Sequence, residues 1–117
     1  MSTPLPRVHP TVVHMLAATA ARVPDREALV CGDTRIAYRE YAACVAALAG
    51  TLAANGVRGE RVALLLPNSA ESALATFAVH AAGGVVVPLN PLYTARELEA
   101  ILADAAPRAF LFDAALA

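Results

Sequence analysis

Three histidines, two cysteines and one pair of adjacent glycines are the residues of this chain whose types and spacing could do chemistry. His9 and His14 stand five residues apart, one on an arm and one at a predicted helix start. A metal centre asks for three or more ligands, and no third joins them. His80 could act as a base, yet no Ser or Cys nucleophile and no orienting carboxylate is placed around it. Gly83-Gly84 could cradle a phosphate, but the pair follows a helix and precedes a strand, the reverse of the order that aims a helix N-terminus at phosphate. It reads as a helix stop. Cys31 and Cys44 fall in a predicted strand and a predicted helix without metal spacing, which reads as two buried free thiols rather than a disulfide or a ligand pair. All nine basic residues are Arg, so no amine nucleophile and no phosphate-holding Lys exists in the chain. No catalytic, cofactor-binding or metal-ligating residue is therefore expected here.

The elements that would position such residues follow from apolar spacing. Val12, Val13, Leu16, Ala20 and Val23 advance by helical steps after Thr11, predicting a docking helix closed by Pro24. Glu27 to Cys31 and Thr34 to Ala37 flank Gly32-Asp33, two residues able to take positive φ, which predicts a β-hairpin. Tyr38, Tyr41, Val45, Leu48 and Leu52 form one helix face, and Asn55-Gly56 stops that helix with Val57 folding back toward Leu52. From Arg61 onward the pattern is βαβαβ: strand Val62 to Leu66, helix Ser69 to Ala82, strand Val85 to Leu89, helix Ala95 to Ala105, strand Ala109 to Phe112. Unbroken apolar runs in these strands predict burial on both faces of a parallel sheet. Asn68 with Glu71, and Thr94 with Glu97, have capping-box spacing. Leu98, Ile101, Leu102 and Ala105 supply a buried stripe for the last helix, and Pro88 marks where its strand leaves the sheet. The fold class is α/β: an N-terminal helix and β-hairpin, then a βαβαβ parallel-sheet unit. In such sheets ligands sit beyond the carboxyl ends of strands, here the Asn68-Ser69 turn and the Asn90 to Tyr93 loop. The plainer role of the same residues is to cap helices.

Composition narrows the function classes. At 117 residues and 58% hydrophobic, the chain can furnish one globular core. Nine basic and ten acidic residues leave a formal charge of -1 with no like-charge block, which excludes the electrostatic footprint of a nucleic-acid or anionic-membrane binder. The first residues lack the apolar core and small-residue cleavage site of a secretory signal. The apolar run from Ala73 to Leu89 is interrupted by His80, Gly83, Gly84 and Pro88, so it divides into a helix and a strand rather than spanning a membrane. A cytoplasmic setting is expected.

Four segments in order carry a family resemblance. Ile36-Ala37-Tyr38-Arg39-Glu40-Tyr41 is similar to the Thr-Tyr-x-Glu-Leu motif of the adenylate-forming (AMP-binding) enzymes. Gly59-Glu60-Arg61-Val62-Ala63-Leu64-Leu65-Leu66-Pro67-Asn68-Ser69 resembles their early strand and turn. The helix that follows leads to Ala82-Gly83-Gly84-Val85-Val86-Val87-Pro88-Leu89-Asn90-Pro91, which resembles their Ala-Gly-x-x-x-Val-Pro-Leu-Asp/Asn-Pro motif. The resemblance runs from about Val12 to Phe112. Ala37 departs from it, since the family has Ser or Thr there to cap the helix; the lost bond is worth roughly 1 kcal/mol.

The resemblance implies a two-step reaction in the complete enzyme. A carboxylate displaces pyrophosphate from ATP to give an acyl-adenylate, and coenzyme A or another thiol then takes the acyl group. ATP, Mg²⁺ and coenzyme A are implied for that enzyme, none of them bound by this segment alone. The family's Gly-rich loop ending in Pro-Lys-Gly, its adenine and ribose contacts and its catalytic Lys have no counterpart here. Residues 1–117 accordingly resemble part of the N-terminal domain of an acyl-CoA synthetase of the fatty-acid–CoA ligase type, predicted inactive alone, with the remainder of the synthetase polypeptide as its partner. Leu89-Asn90-Pro91 and a short leader set this reading above an amino-acid adenylation domain. The competing classes are a separate nucleotide-binding module, which the glycine-free Leu66-Pro67-Asn68-Ser69 turn argues against, and a non-catalytic interaction protein whose open sheet would self-associate.

Overall fold

The computed structural model describes residues 9–113. Nine elements follow one another: α1 (Val12–Arg22), β1 (Glu27–Cys31), β2 (Thr34–Ala37), α2 (Tyr38–Ala54), β3 (Arg61–Leu65), α3 (Ala70–Ala81), β4 (Val85–Pro88), α4 (Ala95–Ala105) and β5 (Ala109–Phe112). β1 and β2 form an antiparallel hairpin, and the remaining strands a parallel sheet in the order β4-β3-β5. This is the predicted helix, hairpin and βαβαβ unit. Gly32 alone of the hairpin turn takes positive φ, at 58°.

Alternation along β3 decides where α2, α3 and α4 pack. Val62 and Leu64 join a core with Ala49, Leu52 and Val57 from α2 and its turn and with Ala75, Ala78 and Val79 from α3. Ala63 and Leu65 point the other way, into a cluster with Leu89, Val87 and the α4 residues Leu98, Ile101 and Leu102. Thus α3 and α4 cover opposite faces of the sheet. A third cluster seats α1 and the hairpin through Leu16, Tyr41 and Val45, with Ala28, Leu29, Ile36 and Phe77 around them.

Burial on both faces holds for β3 alone. Its residues Val62 to Leu65 are all buried, whereas β4 and β5 hold only half-buried and exposed positions, because each has a neighbour on one side only among the described residues. The predicted stripe of α4 is half-buried rather than buried for the same reason: it rests on the margin of a three-stranded sheet. In α1 only Leu16 is buried, and Val12 is exposed. Strand and helix limits shift by one residue where Leu66, Leu89 and Ala82 were expected inside elements. Cys31 and Cys44 are both exposed, correcting the expectation of buried thiols: β1 borders only β2, and Cys44 precedes the buried Val45 and so points away from that face.

The helix stops are local. Gly83 has φ 80°, its N–H donates to the His80 carbonyl at 3.0 Å, and the Gly84 N–H donates to the Val79 carbonyl at 2.9 Å. That pair of bonds is a Schellman cap, which needs a left-handed residue at the first glycine. Gly84 sits in a crowded place, since a Cβ there would lie 3.0 Å from Val79 Cγ1 and 3.4 Å from the Glu60 and Val57 carbonyl oxygens. At the same, amino end of the sheet, Arg61 Nη1 donates to the last α4 carbonyl, Ala105, at 3.0 Å, and Arg108 Nε to the Asn55 carbonyl at 3.2 Å. Two guanidinium groups so satisfy helix C-termini that would otherwise be left to water.

Tyr41 ties α2 to α3. Its hydroxyl donates to the Ala73 carbonyl at 2.8 Å, and its ring meets Phe77 edge-on with centroids 5.7 Å apart. Burial, and secondarily the neighbouring Tyr38 phenol, raises the Tyr41 hydroxyl above its ordinary value of 10.0. The folded state favours the neutral phenol, so this contribution to stability is complete below pH 10.0 and is lost as pH rises through the higher folded-state value. Replacing Tyr41 by Phe should cost about 1 kcal/mol at neutral pH in urea unfolding. It should also flatten the decline of stability in alkali; an equally steep alkaline decline in Y41F would contradict this assignment. Ala37 accepts nothing through its methyl side chain, although its N–H still donates to Glu40 Oε1 at 3.4 Å, the surviving half of a capping box. Ala37→Ser should therefore raise the urea midpoint, by about 1 kcal/mol in stability, and no gain would show that the exposed helix end is already satisfied by water.

Candidate functional site

Because β3, β4 and β5 are parallel, their carboxyl ends Leu65, Pro88 and Phe112 share one edge of the sheet. Two connections leave that edge, the turn 66–69 and the loop 89–94. Leu66 is half-buried, Pro67 and Asn68 are exposed, and Ser69 begins α3. The Ser69 hydroxyl donates to the Pro67 carbonyl at 2.9 Å and accepts from the Ser72 N–H at 3.2 Å. Ser69 is the N-cap, one residue beyond the predicted Asn68; both are good capping types, and the chain places the later one in the extended conformation the cap requires.

The second connection is built more firmly. Leu89 is buried and its N–H donates to the Leu64 carbonyl at 2.8 Å. Asn90 then folds the backbone: its Oδ1 accepts from Leu92 N–H at 2.9 Å and its carbonyl from Tyr93 N–H at 3.0 Å. This Asx turn leaves Leu92 88% exposed, so the loop presents an apolar side chain to its surroundings. Thr94 caps α4 as its spacing predicts. Its hydroxyl accepts from Glu97 N–H and its own N–H donates to the Glu97 carboxylate, both at 3.2 Å. Beside these loops, the N–H of Asp113 donates to the Leu65 carbonyl at 3.3 Å, bringing the residue after β5 next to the end of β3.

Chemically this edge offers amides, hydroxyls and backbone, with no cation on either connection. The residues present do not fit a nucleotide triphosphate with Mg²⁺. The turn 66–69 contains no glycine that would let backbone approach phosphate, and no three His, Cys, Asp or Glu side chains are grouped to hold a metal among the described residues.

The histidines and cysteines do not converge. His9 is half-buried before α1, and His14 is exposed with Nδ1 2.7 Å from the Thr11 hydroxyl, which also accepts the His14 N–H at 3.2 Å as the α1 cap. His80 is exposed in the last turn of α3. It lines a groove of about 580 Å³ with Arg58, Ala49, Gly50 and Ala53 between α2 and α3. A separate apolar cavity of about 300 Å³ lies among Leu16, Leu29, Tyr38, Tyr41 and Phe77. Sequence spacing gave no sign of either, since each joins residues far apart in the chain.

Residues 16–117 match the AMP-binding enzyme family. The chain belongs to that family. Among its relatives, the long-chain-fatty-acid–CoA ligase of Bacillus subtilis is 38% identical over 102 residues, covering 86% of this AMP-binding chain and 18% of the ligase. The phosphinothricin tripeptide synthetase PhsC of Streptomyces viridochromogenes is 43% identical over 98 residues, covering 83% of this chain and 9% of the synthetase. Among solved structures, a fatty acyl CoA synthetase of Mycobacterium tuberculosis superposes with a TM-score of 0.84 at 33% identity, over 91% of this chain and 22% of that one. The N-terminal subdomain of NpsA from Klebsiella oxytoca superposes with a TM-score of 0.81 at 32% identity, over 88% and 27%. The AMP-binding chain thus spans under a third of the length of each. Fatty acyl ligases and peptide synthetases match it alike, so the matches do not separate the two kinds.

The caps make a direct test of this edge. Ser69→Ala and Thr94→Ala should each cost about 1 kcal/mol in urea unfolding, while Asn68→Ala should stay within about 0.5 kcal/mol as an exposed substitution. Equal losses at Asn68 and Ser69 would contradict the cap assignment.

Proposed function

We propose that this chain is the structural opening of an ATP-dependent carboxylic acid–CoA ligase that works through an acyl-adenylate, with a fatty acid as its acyl substrate. The observation that carries the reading is the parallel-sheet unit with its family segments in place, superposing on a fatty acyl CoA synthetase. In this reading the segment contributes scaffold. The β3 strand and the caps at Ser69 and Thr94 fix the edge from which the turn 66–69 and the loop 90–93 emerge. ATP, Mg²⁺ and coenzyme A are held by other parts of the complete enzyme, which works in the cytoplasm, where the exposed Cys31 and Cys44 stay reduced. The Asn90 to Tyr93 loop borders the side from which the thiol reaches the acyl group. Substituting Asn90 in a full-length homologue should then slow thioester formation more than adenylation.

A second reading, an amino-acid adenylation domain, is favoured by the 43% identity to a peptide synthetase. One experiment tests both: the locus is expressed with its downstream DNA and assayed for acid-dependent pyrophosphate exchange and thioester formation. Exchange with fatty acids followed by acyl-CoA supports the ligase. Exchange with amino acids and no acyl-CoA replaces it with the adenylation domain. A 117-residue product that shows no exchange overturns both.

A further inference from the structure

The cavity enclosed by α1, the hairpin and the facing sides of α2 and α3 has a definite chemistry. Its volume is about 300 Å³, and no residue that lines it carries a charge. The rings of Tyr38, Tyr41 and Phe77 line it together with Leu16, Leu29 and the Met15 thioether. A cavity of roughly 150 Å³ lined by apolar side chains stays dry and takes up benzene. Twice that volume therefore suits a compound of one or two rings.

Its walls are held by bonds that need no occupant. The N–H groups of Tyr38 and Arg39 donate to the Arg26 and Pro24 carbonyls at 2.9 and 3.1 Å, which fixes the first turn of α2 to the segment joining α1 to β1. Phe77 is set edge-on against Tyr41. Two of the three hydroxyls on the lining are already engaged: Thr19 donates to the Met15 carbonyl at 2.9 Å and Tyr41 to the Ala73 carbonyl at 2.8 Å. The Tyr38 hydroxyl makes no hydrogen bond among the described residues. Met15 is 45% exposed and forms the solvent side of the cavity, where an unbranched, adaptable side chain allows entry. A preformed apolar pocket with one available polar group is the ordinary form of a small-molecule site.

We propose that this cavity binds a small neutral aromatic compound of one or two rings, whose single polar group hydrogen-bonds the Tyr38 hydroxyl. The compound packs edge-on or offset against the Tyr41 and Phe77 rings. A charged compound is refused, because the lining offers no partner for a buried charge. That separates this site from any carboxylate substrate of the reaction proposed above, on which the inference does not depend. The occupant touches α1, β1, α2 and α3 at once, and α1 has only Leu16 buried, so binding holds α1 against the other elements.

The test is an NMR titration of the chain with two probes, indole and indole-2-carboxylate. Indole should shift the amides of Leu16, Leu29, Tyr38 and Phe77 saturably, with a Kd below about 1 mM, and should slow hydrogen exchange along α1. The carboxylate should bind at least about tenfold more weakly. Tyr38→Phe should weaken indole by about 2- to 10-fold, and Ala28→Phe, which fills the cavity, should abolish binding. If that last variant does not fold, intermolecular NOEs from indole to the Tyr41 and Phe77 ring protons of the unaltered chain locate the compound. The absence of a saturable shift up to the solubility of indole overturns the proposal. So do equal binding of the two probes, an affinity unchanged in Y38F, or NOEs that place indole elsewhere. NOEs to Phe77 from residues 1–8 or from a second copy in the unliganded chain also overturn it, since either would then be the occupant.

Discussion

The whole arrangement depends on one buried strand. Val62, Ala63, Leu64 and Leu65 have almost no contact with solvent, and their alternation feeds two separate cores. Burying a Val or Leu side chain is worth about 1.5 to 3 kcal/mol, so β3 contributes to both faces at once. It also holds β4 and β5 by parallel hydrogen bonding on its two sides. The elements farther from it are correspondingly lighter: α4 has no buried residue, and α1 has only Leu16.

The parts of this architecture legible in the sequence are those governed by near neighbours in the chain. Helical spacing of Tyr41, Val45 and Leu52 marks the face that is buried, Gly32 turns the hairpin, and Thr94 with Glu97 closes a capping box. Strand order is a long-range property, and that is where reading from sequence fell short. Val62–Leu65, Val85–Pro88 and Ala109–Phe112 are all apolar runs, yet only the first lies between two neighbours, so only it is buried on both faces. The exposure of Cys31 has the same origin, since its hairpin has no third strand among the described residues. Asn68 and Ser69 are adjacent residues of equal capping ability, and the extended backbone at Ser69 places the cap there.

The residues that carry the family resemblance have identifiable structural work. Gly83 and Gly84 complete a Schellman cap in space closed by Val79 and the Glu60 carbonyl, Pro88 ends its strand with no N–H to offer, and Asn90 folds the loop beneath an exposed Leu92. Tyr41 joins two helices by a hydrogen bond and a ring contact. These are demands of architecture rather than of phosphate chemistry, which explains how so clear a family pattern coexists with a carboxyl edge that holds neither a lysine nor a glycine-rich turn. The candidate site was legible only as a place, the carboxyl ends of parallel strands, because the side chains there are engaged in capping and turning the backbone.

The central claim is that β3 is the strand on which both cores are built, and native-state hydrogen exchange as a function of denaturant tests it most directly. The account predicts that the amides of Val62 to Leu65 exchange only through global unfolding, while those of the β1–β2 hairpin and α4 open locally at lower free energy. Exchange of the β3 amides through a local opening, with the hairpin or α4 retaining protection, would contradict it.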